Sequence, residues 1–186
     1  MRSQRSRGRF SVMDFSIRKA GVEDARAIVF IKVESWRTTY GGIVPDAYLA
    51  AMDAESQVKG WQESLQSSEV IALVAEDAAG MFGFVCGGKT REEIGGYDAE
   101  LYAIYLLKDR QRRGAGRQLA CTLAEALRGR GFKSMVVWVL EENRPAVAFY
   151  KGLGAVQVSQ KRIEIGGADL SDVCLGWASV QSLSSS

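Results

Sequence analysis

The sequence predicts a single α/β layered domain in which helices flank a sheet of about seven strands. Two observations lead to this prediction. With 186 residues and 47% hydrophobic side chains, the chain can bury one sizeable core. Short apolar runs and segments with helical spacing follow one another in the order β-α-α-α-β-β-β-α-β-α-β-β.

The first part of the chain is predicted to hold one strand and three helices. Glu23 and Asp24 suit the first turn of a helix, where the dipole favours acids, and Gly41-Gly42 ends it. Val58, Trp61 and Leu65 recur at helical spacing. The predicted elements are a strand at 15–18 and helices at 21–39, from 45 and at 55–65.

The remainder is predicted to hold six strands and two helices. The turn Asp77-Ala78-Ala79-Gly80 joins two of the strands, and Gly166-Gly167 lies in the turn of the last pair. Leu119, Leu123 and Leu127 predict the helix that follows the central strand. The predicted strands cover 70–76, 81–87, 99–107, 134–139, 156–165 and 172–180.

The charge distribution separates a tail from the domain. Residues 1–12 hold four arginines and no acid, and we expect a disordered basic tail there. The domain is expected at 13–181, with a frayed C-terminus at 182–186. A nucleic-acid arm is the alternative for the tail. The chain has 24 basic and 22 acidic residues, so the domain alone is slightly acidic, which argues against a nucleic-acid partner.

Composition excludes several classes of protein. The chain has no histidine, which excludes Ser-His-Asp and Cys-His nucleophile systems and leaves zinc without an imidazole ligand, so no metal is expected. Cys86, Cys121 and Cys174 stand alone and are predicted to be buried thiols of a cytoplasmic protein. No apolar run is long enough to span a membrane and no signal peptide is recognisable, so no membrane partner is expected.

The stretch Gln111-Arg112-Arg113-Gly114-Ala115-Gly116-Arg117 is predicted to bind an anion. It lies between an apolar run at 101–107 and the start of a helix, where backbone N–H groups lack partners and the helix dipole is positive. Gly114 and Gly116 let a bulky anion approach the backbone closely. The three arginines add positive charge, so a phosphate or pyrophosphate is the expected ligand.

The septet alone leaves the kind of phosphate ligand open. It lacks the Gly-x-x-x-x-Gly-Lys-Ser/Thr run of a P-loop. It also lacks the third glycine of a dinucleotide-binding turn, because Leu119 occupies that position. A plain glycine-rich loop without a ligand is the remaining alternative.

Two blocks together resemble the GNAT acetyltransferase superfamily. Gln111-x-x-Gly114-x-Gly116 after an apolar strand is similar to the family's Gln/Arg-x-x-Gly-x-Gly/Ala element. Further on, Asn143-x-x-Ala146-x-x-x-Tyr150-x-x-x-Gly154 is similar to a second family block. The resemblance implies a three-layer domain with a mixed, centrally splayed sheet, and acetyl-CoA as cosubstrate.

The resemblance also implies where the coenzyme binds. In the family the glycine loop holds the pyrophosphate, which here corresponds to residues 111–117. The freed edge of the central strand pairs with the pantetheine amides, and the corresponding residues are Ile104, Tyr105 and Leu106. Asn143 matches a coenzyme-binding asparagine, and it is equally suited to cap the helix that follows.

Candidate catalytic residues follow from the same resemblance. Glu100 begins the central strand, where some family members carry a catalytic glutamate, and is the expected base; a solvated strand-end glutamate is the alternative. Other members place the base on the next strand, where this chain has Trp138, which leaves a water relay open. Tyr150 matches a tyrosine near the coenzyme sulfur and is the expected acid, with a core aromatic as the alternative.

The expected activity is acetyl transfer from acetyl-CoA by direct attack of a small-molecule primary amine. Trp36-x-x-x-Tyr40-x-Gly42 resembles an element that roofs the acceptor pocket in a small-molecule branch of the family, so Trp36 and Tyr40 are expected to contact substrate or to be core aromatics. The alternatives are a protein N-terminal or lysine acetyltransferase and a non-catalytic acyl-CoA sensor. A homodimer is a further expectation.

Overall fold

The structure, a computed structural model, describes residues 15–183. The predicted tail at 1–12 and the last three residues lie outside the described range. Within residues 15–183, seven strands form one mixed sheet in the order β1-β2-β3-β4-β5-β7-β6. The predicted element order, strand number and α/β class are therefore confirmed.

The strands and helices follow one another along the chain in the order that the apolar patterns predict. The strands are β1 (Ser16–Lys19), β2 (Ile71–Asp77), β3 (Gly80–Lys89), β4 (Ala99–Leu106), β5 (Met135–Leu140), β6 (Val156–Ile165) and β7 (Ala168–Trp177). The helices are α1 (Ala25–Thr39), α2 (Asp46–Ala50), α3 (Glu55–Gln66), α4 (Ala115–Gly129) and α5 (Arg144–Gly152).

The core is divided between the two faces of the sheet. On one face, Ile28 and Ile31 of α1 pack with Val74 and Phe84. On the other face, Leu119 and other apolar residues of α4 pack against β2, β3, β4 and β5. The alternation of side chains along the strands supplies apolar groups to both faces, which produces the three layers expected from the resemblance.

The sheet opens between β4 and β5. These parallel strands pair only over Ala99↔Met135, Glu100↔Val136 and Leu101↔Val137, although β4 continues to Leu106 and β5 to Leu140. The backbone groups of β4 beyond residue 101 are therefore not bonded to β5. This confirms the expected central splay.

A β-bulge lies in β4 where the strands begin to separate. On its other side β4 pairs with β3, and the register changes from Gly87↔Leu101 to Cys86↔Ala103, so that Tyr102 is the extra residue. A bulge bends its strand and increases the local twist. The bend thus coincides with the start of the gap between β4 and β5.

The start of the last strand needs correction. The last strand begins at Ala168 rather than at residue 172, because the hairpin pairing continues to Ile165↔Ala168. At the C-terminus, residues Val180–Ser182 form a 3₁₀ turn and Leu183 is only 3% exposed, while the rest of the segment that was expected to fray lies outside the described residues. Apolar contact with the core formed by α4 explains this order.

The three cysteines are buried and free, as predicted. Among the described helices, none combines the length and the hydropathy needed to cross a membrane. In the same part of the chain, no group of three or more Cys, Asp or Glu side chains is arranged to hold a metal ion.

Candidate active site

A cleft of about 990 Å³ lies at the gap between β4 and β5. Its wall includes the end of α1, the free edge of β4, the loop before α4, the end of β5 and one face of α5. Residues of β6 and β7 complete the wall. The splay thus produces one continuous cavity with two differently lined ends.

The glycine loop forms one end of this cleft. Gly114 is the N-cap of α4 with φ of 89°, a conformation in which a side chain is strained. Arg112, with φ of 62°, precedes it in a similar left-handed conformation. The amide of Gln111 donates to the Leu106 carbonyl at 3.0 Å, which ties the loop to the end of β4. The local sequence therefore directs the helix N-terminus at the cleft.

Most of the predicted anion-binding residues line this end, but two do not. Arg112 and Arg117 line the cleft together with Lys108, which the motif did not include. Ala115 is 2% exposed and packs in the α4 core, so only its backbone remains available to a ligand. Arg113 is not part of the lining. The lining also includes Gln111, Gly114 and Gly116.

The predicted strand edge is part of the cleft wall. Ile104, Tyr105 and Leu106 line the cleft beyond the last β4–β5 pair. The hydroxyl of Ser35 on α1 donates to the Leu106 carbonyl at 3.3 Å. This bond fixes the end of β4 against α1, so the edge is held in place on both sides.

The short helix α5 brings Asn143 and Tyr150 to the cleft. Asn143 caps the helix, since its side chain accepts from the backbone N–H of Ala146 at 3.3 Å. The capping role is thus confirmed, and the same residue lines the cleft. Tyr150 is 6% exposed, contacts the Trp177 ring at 6.1 Å between centroids and also lines the cleft. Burial raises the pKa of its phenol well above the usual range, so the hydroxyl keeps its proton and can donate it.

Aromatic side chains form the other end of the cleft. Trp36, in the last turn of α1, and Tyr40, the C-cap of that helix, have ring centroids 4.7 Å from each other. The indole nitrogen of Trp36 donates to the Tyr105 hydroxyl at 2.8 Å, and Asn143 Nδ2 donates to the Tyr40 hydroxyl at 3.5 Å. Both α1 residues line the cleft while belonging to an apolar cluster. The two alternatives stated for them are therefore compatible.

The structure does not bring Glu100 to the cleft. Its side chain is 2% exposed and forms an ion pair with Arg91, whose backbone N–H also donates to the carboxylate at 3.1 Å. The Arg91 guanidinium lies 4.7 Å from the Tyr102 ring centroid. Tyr102 lines the cleft, but Glu100 does not. The expectation that Glu100 is the base has no support from this geometry.

Trp138 lies on β5, at the position where the resemblance implies a base in other family members. It lines the cleft, and the Lys161 ammonium lies 4.0 Å from the centre of its ring. Its buried indole nitrogen has no hydrogen-bond partner within residues 15–183. Trp138 therefore carries an unpaired donor and cannot accept a proton.

Sequence analysis missed Asp172, which is the one carboxylate among the described residues that line the cleft. Asp172 lies on β7 opposite Leu140 and is 9% exposed. Burial raises the pKa of its carboxyl to about 6, while Lys161 lowers that pKa. The sequence pattern that could have identified it is the alternation of Leu170, Asp172 and Cys174, which places one acid on an otherwise apolar face of the strand.

Comparisons with known proteins agree with the fold. Residues 33–155 match the Acetyltransferase (GNAT) family. The chain is 40% identical over 168 residues to the "Uncharacterized N-acetyltransferase YuaI" of Bacillus subtilis (strain 168), an alignment that covers 90% of this chain and 95% of that protein. It is 25% identical over 143 residues to the spermidine N(1)-acetyltransferase of Thermoplasma acidophilum, covering 74% and 86% of the two chains.

Solved structures show the same fold. One is the PaiA N-acetyltransferase from Thermoplasma acidophilum in complex with coenzyme A, with a TM-score of 0.67 and 22% identity over 87% of this chain and 98% of that one. The family match covers more than half of this chain, and the Bacillus relative matches nearly all of it. The chain therefore belongs to the GNAT family of acetyl-CoA-dependent N-acetyltransferases.

Proposed function

We propose that the protein acetylates a small-molecule primary amine by direct attack of the amine on acetyl-CoA. The observation that carries this proposal is the continuity of the cleft. One end offers a helix N-terminus and cations, and the other end offers aromatic rings and a carboxylate. A coenzyme at the first end and an amine at the second would meet at the splay between β4 and β5.

The coenzyme's position is proposed from the backbone groups that are available. The pyrophosphate would bind the N–H groups at the start of α4, with Arg112 and Arg117 nearby. The pantetheine amides would pair with β4 at Ile104–Leu106, where β5 has already turned away. Asn143 would border the same arm from α5.

The thioester chemistry then needs a proton for the departing sulfur. Tyr150 is the proposed donor, because the residue lines the cleft and burial keeps its phenol protonated. Backbone N–H groups at the bulge of β4 are suited to stabilise the tetrahedral oxyanion. The C–S bond breaks as the sulfur is protonated, which leaves the N-acetylated amine and free CoA.

A cover over part of the acceptor end favours a small molecule over a protein. The turn of the β6–β7 hairpin reaches α2, since a Cβ placed on Gly166 would lie 2.7 Å from Cβ of Tyr48. Leu49 of α2 packs in the same cluster as Leu140 and Leu170. A protein N-terminus or a lysine side chain would have to pass under this cover. The spermidine acetyltransferase relative adds support for an amine acceptor.

The remaining expectations stay predictions. A homodimer and a cytoplasmic location are retained from the sequence. The absence of a nucleic-acid partner rests on the slightly acidic charge of the domain without its first twelve residues.

A screen of amines tests the proposal. Purified protein is mixed with acetyl-CoA and, in separate reactions, an aralkyl monoamine, spermidine or a peptide with a free N-terminus and a lysine. Release of CoA thiol is then measured. We expect turnover with a small amine and none with the peptide. Turnover with the peptide alone would indicate a protein acetyltransferase, and tight acetyl-CoA binding without any turnover would indicate a sensor.

A further inference from the structure

The acceptor end of the cleft contains a carboxylate with no partner. Within residues 15–183, no hydrogen bond or ion pair joins the Asp172 side chain to another residue. The side chain is nine-tenths buried and lies in the cleft wall. A buried carboxylate without a partner is costly, so such a group points to a cation that arrives with the substrate.

The neighbouring lysine does not satisfy this carboxylate. Lys161 is opposite Asp172 in the β6–β7 pairing. Its ammonium instead binds Glu92 at 2.5 Å and lies against the Trp138 ring. Glu92 therefore neutralises the lysine, and the carboxylate of Asp172 stays available from the cleft.

We propose that Asp172 binds the ammonium group of the acceptor and takes its proton, a step that rests on the proposed amine acetylation. The proton moves from nitrogen to Oδ of Asp172, and the freed lone pair attacks the thioester carbon. When the C–S bond breaks, the sulfur receives the proton that the attacking nitrogen loses, relayed through Tyr150. Asp172 then releases its proton to solvent.

The surroundings of Asp172 suit this exchange. An alkyl ammonium has a pKa of about 10.4 and is almost entirely charged at neutral pH, so attack from solution would use a rare species. Burial, with Glu92 and Glu100, raises the pKa of Asp172 to about 6, against the effect of Lys161 and Arg91. The carboxylate is thus ionised at neutral pH and is a stronger base than an exposed aspartate. The charged or titratable groups around it are Lys161, Glu92, Arg91, Glu100 and Tyr40.

The same site restricts the kind of amine. Asp172 is the single carboxylate of the described lining, and Trp36, Tyr40 and Ile163 add aromatic and aliphatic side chains to that lining. Aromatic faces attract a cation, and the aliphatic wall suits an apolar body. An acceptor with one ammonium and an apolar remainder fits this end better than a polyamine, whose second cation would find no counter-charge there.

The substitution Asp172→Asn tests the inference with the monoamine found in the screen. We expect kcat/KM for the amine to fall by about 100-fold or more, within the range typical of acid–base groups, while CoA affinity measured by titration calorimetry is unchanged. Asp169→Asn is the matched control, because Asp169 is exposed on the same strand and bound to Arg162. Asp172→Glu should recover part of the lost rate.

The pH profile separates a base from a structural residue. In the wild type, kcat/KM should rise with pH through a value near 6, since activity needs ionised Asp172, and should level off until the amine itself loses its proton. In Asp172→Asn the ascending limb should move to the amine's own pKa. A variant that keeps the wild-type rate and the limb near pH 6 would overturn the inference.

A stability measurement does not depend on activity. Because the folded-state pKa of Asp172 is raised, its stabilising protonated form is present at acidic pH and is lost as the pH rises through about 6. Asp172→Asn should therefore melt at a higher temperature than wild type at pH 8 and not at pH 4. If no amine is turned over by wild type, the proposed function fails. If the wild type is active but the variant has the wild-type melting temperature at both pH values, only the proposed role of Asp172 fails.

Discussion

The end of the cleft beside α4 combines free backbone groups with cationic side chains, whereas the end between α1 and β7 is lined by aromatic rings and a carboxylate. The first end consists of the glycine loop, the start of a helix and an unpaired strand edge. The second end brings together Trp36, Tyr40 and Asp172 from elements that are far apart in the chain. The two ends of the cleft meet at Asn143, which caps α5 and donates a hydrogen bond to the Tyr40 hydroxyl.

This difference indicates how the molecule divides its tasks. A coenzyme that is bound through backbone groups needs particular conformations, such as the positive φ of Gly114, and few substitutions preserve them. An acceptor that is bound through side chains can change when one residue changes, and the fold remains intact. We therefore expect substitutions at the two ends to affect different kinetic constants.

The largest effect is expected from Gly114→Glu. A glutamate at φ of 89° would be strained and would bring a negative charge to the proposed pyrophosphate site. Two lost charge-assisted hydrogen bonds cost at least about 3 kcal/mol, which is about 100-fold in affinity. Calorimetric titration with CoA measures this loss, while circular dichroism confirms that the variant is folded.

Gly131→Glu is the matched control for this experiment. Gly131 has φ of 91° just beyond the C-terminal end of the same helix, and a Cβ there meets no atom within 4 Å, as at Gly114. The control therefore carries the same strain and charge at the other end of α4. Equal CoA affinities for the two variants would mean that the coenzyme does not bind at the start of α4. The proposal that one end of the cleft binds coenzyme and the other binds the acceptor would then be wrong.

The same division explains what could be predicted from the sequence. The glycine loop and the Asn143–Tyr150 block are local patterns, because the groups that bind a ligand are a few residues apart. Asp172 could not be assigned in this way, because its importance arises from the pairing of β7 with β5 and from the absence of a partner. The ion pair that covers Glu100 could not be predicted for a similar reason, since Arg91 belongs to the loop between β3 and β4.

The next effect is expected from Tyr150→Phe. If the hydroxyl protonates the sulfur, the variant should lose about 10- to 100-fold in kcat, with the affinity for CoA unchanged, because the phenyl ring preserves the packing on Trp177. Steady-state kinetics at saturating acetyl-CoA measure the loss. Tyr97→Phe is the control, because Tyr97 does not belong to the cleft lining. A wild-type kcat would exclude Tyr150 as the proton donor.

A smaller effect is expected from Tyr40→Phe, which probes the junction of the two ends. The change removes the oxygen that accepts from Asn143 Nδ2 at 3.5 Å, a bond worth about 0.5–1.5 kcal/mol. We expect KM for the amine to rise several-fold and the affinity for CoA to stay constant. Tyr48→Phe, in the neighbouring helix, is the control. If CoA affinity falls as well, the ends are coupled through Asn143 and are not independent.

The smallest kinetic effect is expected from Glu100→Gln, because its carboxylate is covered by Arg91 and lies outside the cleft lining. The variant should keep the wild-type kcat/KM and pH profile, since the proposed base is Asp172. It should nevertheless lower the free energy of unfolding by about 1–3 kcal/mol, because Arg91 loses its charged partner. Denaturant unfolding measures this loss, with exposed Glu63→Gln as the control. The opposite result would be a 100-fold loss of kcat/KM in Glu100→Gln together with an active Asp172→Asn variant. That result would identify Glu100 as the proton acceptor and would mean that Arg91 moves away from Glu100 when substrate binds.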